Sequence, residues 1–253
     1  MDRHSAHVLV VRDAGAAADA GAHLWVDAVR QALAARGVFH VALSGGSTPR
    51  ELFRRVAEQP DLDYAWHRTH VYWVDERAVP LTDPRSNYAL AVEELLEAVP
   101  LSPEQIHPME ADDPDLEAAA RRYEKTLTAG IPEPQPLPPA LDLVWLGLGT
   151  DGHTASLFPR SPVLGVRDRW VAAVENPSVQ PPRRLTLTVP VLNAARRVVF
   201  LVTGADKAEA VAGVLEGEHD PERRPAQLVQ PPPGRLVFLL DERAASGLAR
   251  ARG

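Results

Sequence analysis

Short, continuous apolar runs are the feature that most constrains how this chain can fold. Each run is rich in β-branched and aliphatic residues, and most lack the polar alternation of a strand with one solvated face. Such runs are typical of parallel strands that are covered on both faces. We predict strands at Val8–Val11, Val38–Leu43, His70–Val74, Leu141–Gly147, Trp170–Val174, Leu185–Val189, Val198–Thr203 and Leu236–Leu240.

Helical patterns lie between most of these runs. In the first of them, Leu24, Ala28 and Ala35 fall at helical spacing on one face. We predict helices at Ala16–Ala35, Arg50–Glu58, Tyr88–Ala98, Leu116–Ala129, Lys207–Leu215 and Glu242–Arg250. Because strands and helices alternate, the sequence predicts an α/β fold with three layers, α/β/α, around a mostly parallel sheet.

A proline-rich segment, Ile131–Pro139, interrupts this alternation. Its prolines exclude a helix interior or a central strand. The segment is either a domain linker or a stiff surface loop, and we favour the loop because the strand after it has the character of the same sheet. We therefore expect residues 1–253 to form a single domain.

Composition narrows the class of protein. With 27 Lys and Arg against 34 Asp and Glu, the net charge is −7, which argues against general nucleic-acid binding but leaves room for a local basic pocket. The chain has no cysteine, so disulfides, thiolate nucleophiles and cysteine-based zinc sites are excluded. No apolar stretch approaches the roughly 20 residues that span a bilayer, and no signal-peptide core follows the N-terminus. We expect a soluble cytoplasmic protein with no membrane partner.

A loop rich in glycine and hydroxyl groups follows the second predicted strand. The loop, Ser44–Pro49, leads directly into a predicted helix, so backbone N–H groups, side-chain hydroxyls and the helix N-terminus converge. Such a loop is suited to bind a phosphate group. The alternative is an ordinary tight turn with Thr48 as the helix N-cap. The loop matches neither the Walker motif nor the dinucleotide-binding fingerprint.

Charged residues follow the third predicted strand. Asp75, Glu76 and Arg77 come first, and Arg85–Tyr88 follows shortly after. One interpretation is that Arg77 or Arg85 holds an anion while Asp75 and Glu76 orient hydrogen-bond donors. The other is a solvated loop in which Ser86 or Asn87 caps the next helix.

A glycine-rich turn after the fourth predicted strand carries Asp151 and His153. The two side chains can converge across Gly152, and a carboxylate that fixes the histidine tautomer makes His153 a candidate general base. The alternative is a surface or structural histidine. The nine histidines show no paired ligand spacing, so we predict no metal site. No Gly-x-Ser-x-Gly nucleophile elbow is present around these residues, which argues against a serine hydrolase.

Two further basic positions stand beside predicted strands. Arg183 and Arg184 precede the strand Leu185–Val189, and Lys207 occupies the first turn of a helix that follows Val198–Thr203. A cation at a helix N-terminus opposes the helix dipole, and a bound anion would compensate for this. The alternative is a solvated lysine.

Four of these segments resemble, in order along the chain, the glucosamine-6-phosphate isomerase/6-phosphogluconolactonase superfamily. They are Ser44–Pro49, Asp75–Arg77 with Arg85–Tyr88, Gly147–Pro159 and Thr203–Lys207, and the resemblance runs from about Val8 to Leu240. It implies one α/β/α domain with a modified Rossmann-like sheet. It also implies a cytoplasmic hydrolase of carbohydrate metabolism, without cofactor, that converts 6-phospho-D-glucono-1,5-lactone to 6-phospho-D-gluconate in the pentose phosphate pathway.

The resemblance also implies roles for individual residues. His153 is the base that activates water, and Asp151 orients it. Arg184 is favoured over Arg183 because the family pattern places arginine immediately before the Leu-Thr strand. Arg77 either stabilises the oxyanion or binds substrate hydroxyls. The implied substrate-binding set is Ser44, Gly45, Gly46, Ser47, Thr48, Asp75, Arg77, Arg184 and Lys207.

Phe158 separates the two branches of the superfamily. The aminosugar isomerases usually carry a glutamate five residues after the histidine of Asp-Gly-His, and this chain has Phe158 there. Asp75 does not discriminate, because both branches carry it. The rival functions are an aminosugar-phosphate isomerase or deaminase and a non-catalytic sugar-phosphate sensor. We expect a small phosphosugar lactone as the only partner, and a monomer or weak homo-oligomer.

Overall fold

The computed structural model describes residues 6–131 and 137–249, and the centre of the proline-rich segment therefore lies outside the described residues. The strands are β1 (His7–Val11), β2 (Phe39–Leu43), β3 (Thr69–Trp73), β4 (Asp75–Arg77), β5 (Leu143–Leu146), β6 (Val171–Glu175), β7 (Arg183–Leu187), β8 (Val198–Val202) and β9 (Leu236–Asp241). The helices are α1 (Ala14–Arg36), α2 (Pro49–Ala57), α3 (Asn87–Glu94), α4 (Leu116–Gly130), α5 (Val189–Ala194), α6 (Ala208–Leu215) and α7 (Glu242–Ala245).

Six strands form the main sheet in the order β1-β9-β8-β5-β2-β3, and every neighbouring pair is parallel. Every residue of β2, β5 and β8 is buried, as the continuous apolar runs predicted. Helices flank this sheet, which confirms the predicted α/β class. The chain proceeds from β2 outward to β3 on one side and from β5 outward to β8 on the other. The gap between the carboxyl ends of β2 and β5 is therefore a topological switch point, where α/β proteins bind ligands.

The second sheet was not predicted. Strands β4, β7 and β6 pair antiparallel in a separate three-stranded sheet, in which Asp75 lies opposite Thr186 and Arg77 opposite Arg184. We predicted β6 and β7 as strands but did not separate them from the parallel sheet, and we placed Asp75–Arg77 in a loop. Apolar runs buried on both faces look alike in either sheet, and the sequence of β4 is wholly charged. Pairing with β7 therefore decides the structure of this segment.

Several predicted boundaries were wrong near helix ends. The strand predicted to end at Val189 stops at Leu187, because Pro190 suits the first turn of α5. Helix α3 ends at Glu94 rather than Ala98 and is followed by a 3₁₀ turn. Helix α7 ends at Ala245, well before the predicted end at Arg250, which lies outside the described residues. Among the described residues, no helix combines the length and apolar character needed to cross a membrane.

Helix α1 packs closely against the sheet and α2. Asp13 caps its first turn by accepting a hydrogen bond from the Ala16 N–H, and Gly37 ends it with φ +75°. A Cβ at Gly21 would lie 2.8 Å from Leu52 Cδ1 and 3.3 Å from the Trp145 ring. A side chain at position 21 would force Leu52 to shift, so glycine lets α1 lie close to α2 and β5, which both border the switch point.

A cluster of polar side chains lies at the amino-terminal ends of β2, β3 and β5, on the side of the sheet away from the switch point. The buried carboxylate of Asp142 accepts hydrogen bonds from Arg36 Nη2 (2.6 Å) and from the His40 N–H (2.8 Å), and Arg196 Nε lies 3.4 Å away. The His40 ring lies 5.4 Å from the His70 ring, centroid to centroid. Burial is the main cause that lowers the pKa of His40 to about 4, so the buried ring is neutral at physiological pH.

Candidate active site

A cavity of about 240 Å³ opens at the switch point between β2 and β5. Segments that follow β2, β5 and β8 of the main sheet contribute to its wall, together with residues of β4 and β7 of the small sheet. The cavity is lined by every predicted substrate-binding residue and by the predicted base: Ser44, Gly45, Gly46, Ser47, Thr48, Asp75, Arg77, His153, Arg184 and Lys207. The structure therefore brings together residues that are widely separated in the sequence.

The Ser44–Pro49 loop forms one wall. Gly46 adopts φ +102°, a conformation that residues with a side chain rarely reach. Pro49 occupies the first position of α2, and Thr48 stands at the N-cap position without making a side-chain capping hydrogen bond. Thr48 therefore occupies the N-cap position that the alternative interpretation gave it, but its side chain does not cap the helix. The hydroxyl of Thr48 and the helix N-terminus both remain available for an anion in the cavity.

Asp151 and His153 form a short hydrogen-bonded pair. His153 Nδ1 lies 2.5 Å from Asp151 Oδ1, and the His153 N–H also donates to this oxygen at 3.1 Å. Burial alone would raise the pKa of Asp151, but the hydrogen bonds from His153 outweigh it and hold the pKa below its usual value. Asp151 therefore stays ionised and engages Nδ1, which leaves Nε2 as the ring nitrogen able to exchange protons in the cavity.

Glycine conformation and hydrogen bonds to its carbonyl groups hold the turn that carries this pair. A Cβ at Gly149 would lie 2.1 Å from His153 Nδ1, so the ring packs directly against a glycine. Gly152 has φ +82°, and its carbonyl accepts a hydrogen bond from the Ala226 N–H at 3.0 Å. Thr154 Oγ1 donates to the Gly147 carbonyl at 2.8 Å. The close approach at Gly149 and the positive φ at Gly152 explain two of the glycines around the histidine.

The three charged side chains of β4 alternate between the two faces of the strand. Asp75 and Arg77 line the cavity, whereas Glu76 points the opposite way, as the alternation of a strand requires. Glu76 is fully buried and accepts hydrogen bonds from the backbone N–H groups of Arg77, Asn87 and Tyr88 and from the Ser86 hydroxyl. Burial raises the pKa of Glu76, although these hydrogen bonds oppose the shift. Glu76 therefore anchors the start of α3 and does not face the cavity.

The structure separates the paired candidates that the sequence left open. Arg77 lines the cavity with a buried Nε that has no partner among the described residues, whereas Arg85 pairs with Asp83 at the surface. Ser86, and not Asn87, caps α3 by accepting hydrogen bonds from two backbone N–H groups. Arg184 lines the cavity, whereas Arg183 donates to a carbonyl outside it.

Arg184 is buried and only partly paired. Its Nε donates to the Pro181 carbonyl at 3.1 Å, and its Nη1 lies 4.0 Å from Asp75 Oδ2. Burial lowers the pKa of Arg184 despite the attraction of Asp75. Lys207 stands where a 3₁₀ turn meets α6, with Nζ 3.7 Å from Asp206 Oδ2. Both cations therefore have hydrogen-bonding capacity left for an anionic ligand.

Two residues that sequence analysis did not assign to the site hold Asp75 in place. Ser156 Oγ donates to Asp75 Oδ2 at 2.6 Å, and Asn87 Nδ2 donates to Asp75 Oδ1 at 3.1 Å. Asn87 also lines the cavity. Ser156 belongs to the same motif as His153, and this position could have indicated a role in the site. Its partner Asp75, however, lies 81 residues away in the chain. Within the described residues, no cluster of three or more His, Asp or Glu side chains could hold a metal ion.

Comparison with known proteins agrees with this geometry. The family model described as glucosamine-6-phosphate isomerases/6-phosphogluconolactonase matches residues 12–238. The chain belongs to this family. A 6-phosphogluconolactonase from Synechocystis is 43% identical over 220 residues, covering 87% of this chain and 89% of the relative. One from Streptomyces coelicolor is 38% identical, covering 96% and 95%.

Solved structures confirm the architecture. The 6-phosphogluconolactonase of Trypanosoma brucei matches with a TM-score of 0.85 at 29% identity, covering 96% of this chain and 99% of that protein. A monomeric glucosamine-6-phosphate deaminase matches with a TM-score of 0.79 at 21% identity, covering 96% and 100%. At that identity the second match shows only a shared fold. The family resemblance predicted from the four sequence segments is confirmed.

Proposed function

We propose that this chain is a 6-phosphogluconolactonase, which hydrolyses 6-phospho-D-glucono-1,5-lactone to 6-phospho-D-gluconate in the oxidative pentose phosphate pathway. One observation carries the proposal: His153, hydrogen-bonded to Asp151, lines the same cavity as the Ser44–Pro49 loop and Lys207. A histidine with one nitrogen engaged by a carboxylate is suited to general base catalysis. The relatives named 6-phosphogluconolactonase support the choice of substrate.

The cationic and donor-rich part of the cavity binds the substrate phosphate in this proposal. The hydroxyls and N–H groups of Ser44, Gly45, Gly46, Ser47 and Thr48 supply neutral donors. Lys207 and Arg184 supply positive charge, and the N-terminus of α2 adds its partial positive charge. The phosphate thereby places the lactone ring within reach of His153.

His153 transfers one proton in each half of the proposed reaction. Its Nε2 takes a proton from water as the water oxygen bonds to the lactone carbonyl carbon, and Asp151 stabilises the resulting imidazolium. As the tetrahedral intermediate collapses, the bond to the ring oxygen breaks and His153 returns the proton to that oxygen. Arg77, with its unpaired Nε, either stabilises the oxyanion or binds substrate hydroxyls. A lactone is an activated ester, so these steps need no covalent nucleophile.

The test is acid release from freshly prepared 6-phosphogluconolactone, corrected for spontaneous hydrolysis. His153→Ala should lose about 10²- to 10⁴-fold in kcat, the usual contribution of a general base. His67→Ala is the matched control, because His67 is exposed and does not line the cavity. Near-normal turnover by folded His153→Ala would contradict the role of His153. Ammonia release from glucosamine 6-phosphate would instead indicate the isomerase or deaminase branch.

The remaining parts of the proposal concern the whole molecule. We propose that residues 1–253 form one phosphosugar-lactonase domain, because the buried residues of both sheets belong to one connected apolar core. We also propose that it acts in the cytoplasm as a monomer or weak homo-oligomer. Analytical ultracentrifugation at several concentrations tests the oligomeric state.

A further inference from the structure

The ring of Phe158 lies between two basic side chains of the candidate site. Its centroid is 5.0 Å from the centroid of the His153 ring, at an interplanar angle of 46°, and 5.6 Å from Arg184 Cζ. Phe158 is only 2% exposed and does not line the cavity. It therefore contacts the groups that face the ligand without being able to contact the ligand itself.

Two contacts besides Phe158 restrain the His153 ring. The hydrogen bond to Asp151 holds one ring atom and comes from a half-exposed carboxylate, and Gly149 packs against the ring without offering a side chain. The Phe158 ring provides an apolar wall beside the imidazole. Phe158 is itself held: its carbonyl accepts a hydrogen bond from the Ser161 N–H at 3.2 Å, and the preceding Leu157 is fully buried.

Arg184 also contacts the Phe158 ring. Its Nε donates to the Pro181 carbonyl at 3.1 Å, but its Nη1 lies 4.0 Å from Asp75 Oδ2, an oxygen that already accepts a hydrogen bond from Ser156, so Asp75 restrains the guanidinium only weakly. The guanidinium lies over the Phe158 ring, and the face of an aromatic ring attracts a cation, most strongly where water is excluded.

We propose that Phe158 is a positioning residue that sets the separation between the base His153 and the anion-binding Arg184 by contacting both with one ring. The inference rests on the proposed function, because its main consequence is measured as lactone hydrolysis. Leucine at this position would keep an apolar side chain but lose the aromatic face. Both basic groups would then lose a restraint on their orientation.

The experiment compares Phe158→Leu with Phe158→Tyr and with Phe238→Leu. Phe238 is equally buried and stacks on Phe200 with 4.5 Å between centroids, and it does not line the cavity. Phe158→Leu should lower kcat and raise KM, reducing kcat/KM by about tenfold, the size expected from loss of a buried cation–π contact. Phe158→Tyr, which keeps the ring, should restore most of this loss. Phe238→Leu should lower the melting temperature but leave kcat and KM near the wild-type values.

A double-mutant cycle tests whether Phe158 acts through Arg184. In an Arg184→Gln background, Phe158→Leu should change KM much less than it does in the wild type, because the cation has already been removed. Additive effects on KM would contradict this route. Kinetics of Phe158→Leu that match Phe238→Leu, or a Tyr variant no better than the Leu variant, would overturn the proposal.

The two proposals fail in distinguishable ways. A wild-type protein that does not accelerate lactone hydrolysis contradicts the proposed function. An active wild type whose Phe158→Leu variant keeps normal kinetics contradicts only the role of Phe158. The His153 imidazole Hε1 resonance in NMR spectra gives a readout without turnover. It should shift in Phe158→Leu and stay in place in Phe238→Leu, and an unchanged resonance in Phe158→Leu would also overturn the proposal.

Discussion

Gly45 offers a sharp test of how the cavity is assembled, because its backbone lies directly against the Asn87 amide. A Cβ at Gly45 would lie 1.7 Å from Asn87 Oδ1 and 2.3 Å from Asn87 Cγ, far inside any possible contact. Gly45→Ala must therefore displace the amide or the loop. The amide is not free to move, because its Nδ2 donates to the Asp75 carbonyl at 2.8 Å and to Asp75 Oδ1 at 3.1 Å.

The expected cost follows from these contacts. Overpacking a well-packed site costs about 1–3 kcal/mol, and a buried polar group that loses its partner adds about 1–3 kcal/mol. We expect Gly45→Ala to lower the free energy of unfolding by about 2–6 kcal/mol. Displacement of the loop or of Asp75 by about 1 Å should also lower kcat/KM by up to about 10²-fold.

Urea unfolding and lactonase kinetics measure the two effects. Gly147→Ala is the matched control, because Gly147 lines the same cavity but a Cβ there meets no atom within 4 Å. Removing the amide in Asn87→Ala should open space, so Gly45→Ala should cost at least about 1 kcal/mol less in that background. The reasoning is refuted if Gly45→Ala is as stable as Gly147→Ala, or if its cost is unchanged when Asn87 is alanine.

Three further predictions concern pH, the buried ion pair and the proposed phosphate site. Burial holds the pKa of His40 near 4 in the folded protein, below the value of about 6.5 in the unfolded chain. The contribution of neutral His40 to the free energy of unfolding is therefore complete above pH 6.5 and is lost as the pH drops towards 4, by about 3 kcal/mol. Urea unfolding across this range should show a smaller fall in His40→Leu than in the wild type, and an equal fall would contradict the low pKa of His40. Asp142→Ala should lower the free energy of unfolding by about 2–4 kcal/mol because the partly buried Arg36 loses its carboxylate partner and the buried His40 N–H loses its acceptor, whereas Asp61→Ala, which breaks an exposed pair, should cost less than about 1 kcal/mol. Lys207→Met should raise KM for the phosphorylated lactone by about 10- to 100-fold, as expected for loss of a charged hydrogen bond; the exposed Lys125→Met is the control, and equal KM values for the two variants would exclude Lys207 from phosphate binding.

Those parts of the candidate site that are local in the chain are predictable from the sequence. The Ser44–Pro49 loop and the Asp151–His153 turn could be recognised because glycines, hydroxyls and charged groups are contiguous at strand ends. A backbone requirement, such as φ +102° at Gly46, is also indicated by a single residue, because glycine adopts this conformation readily. The continuous apolar runs predicted parallel, buried strands for the same reason: strand burial depends mainly on the residues of the strand itself.

Contacts between segments that are distant in the chain could not be predicted from short motifs. Asp75 and Glu76 are adjacent carboxylates with no local difference, yet one faces the cavity and the other is buried beneath α3. Which of them faces the ligand is set by the pairing of β4 with β7, more than 100 positions further along the chain. Likewise, nothing near Ser156 in the sequence indicates that it holds Asp75.

The sequence by itself determined the class of fold, the family and the chemical character of the site, because these depend on periodicity and on short contiguous motifs. Only the tertiary structure decided which charged groups share the cavity, which are used for anchoring, and that one aromatic ring contacts both His153 and Arg184. The physical reason is that side-chain direction and burial depend on strand pairing and packing between segments. The residues that neighbour such a contact in the sequence carry little information about its long-range partner.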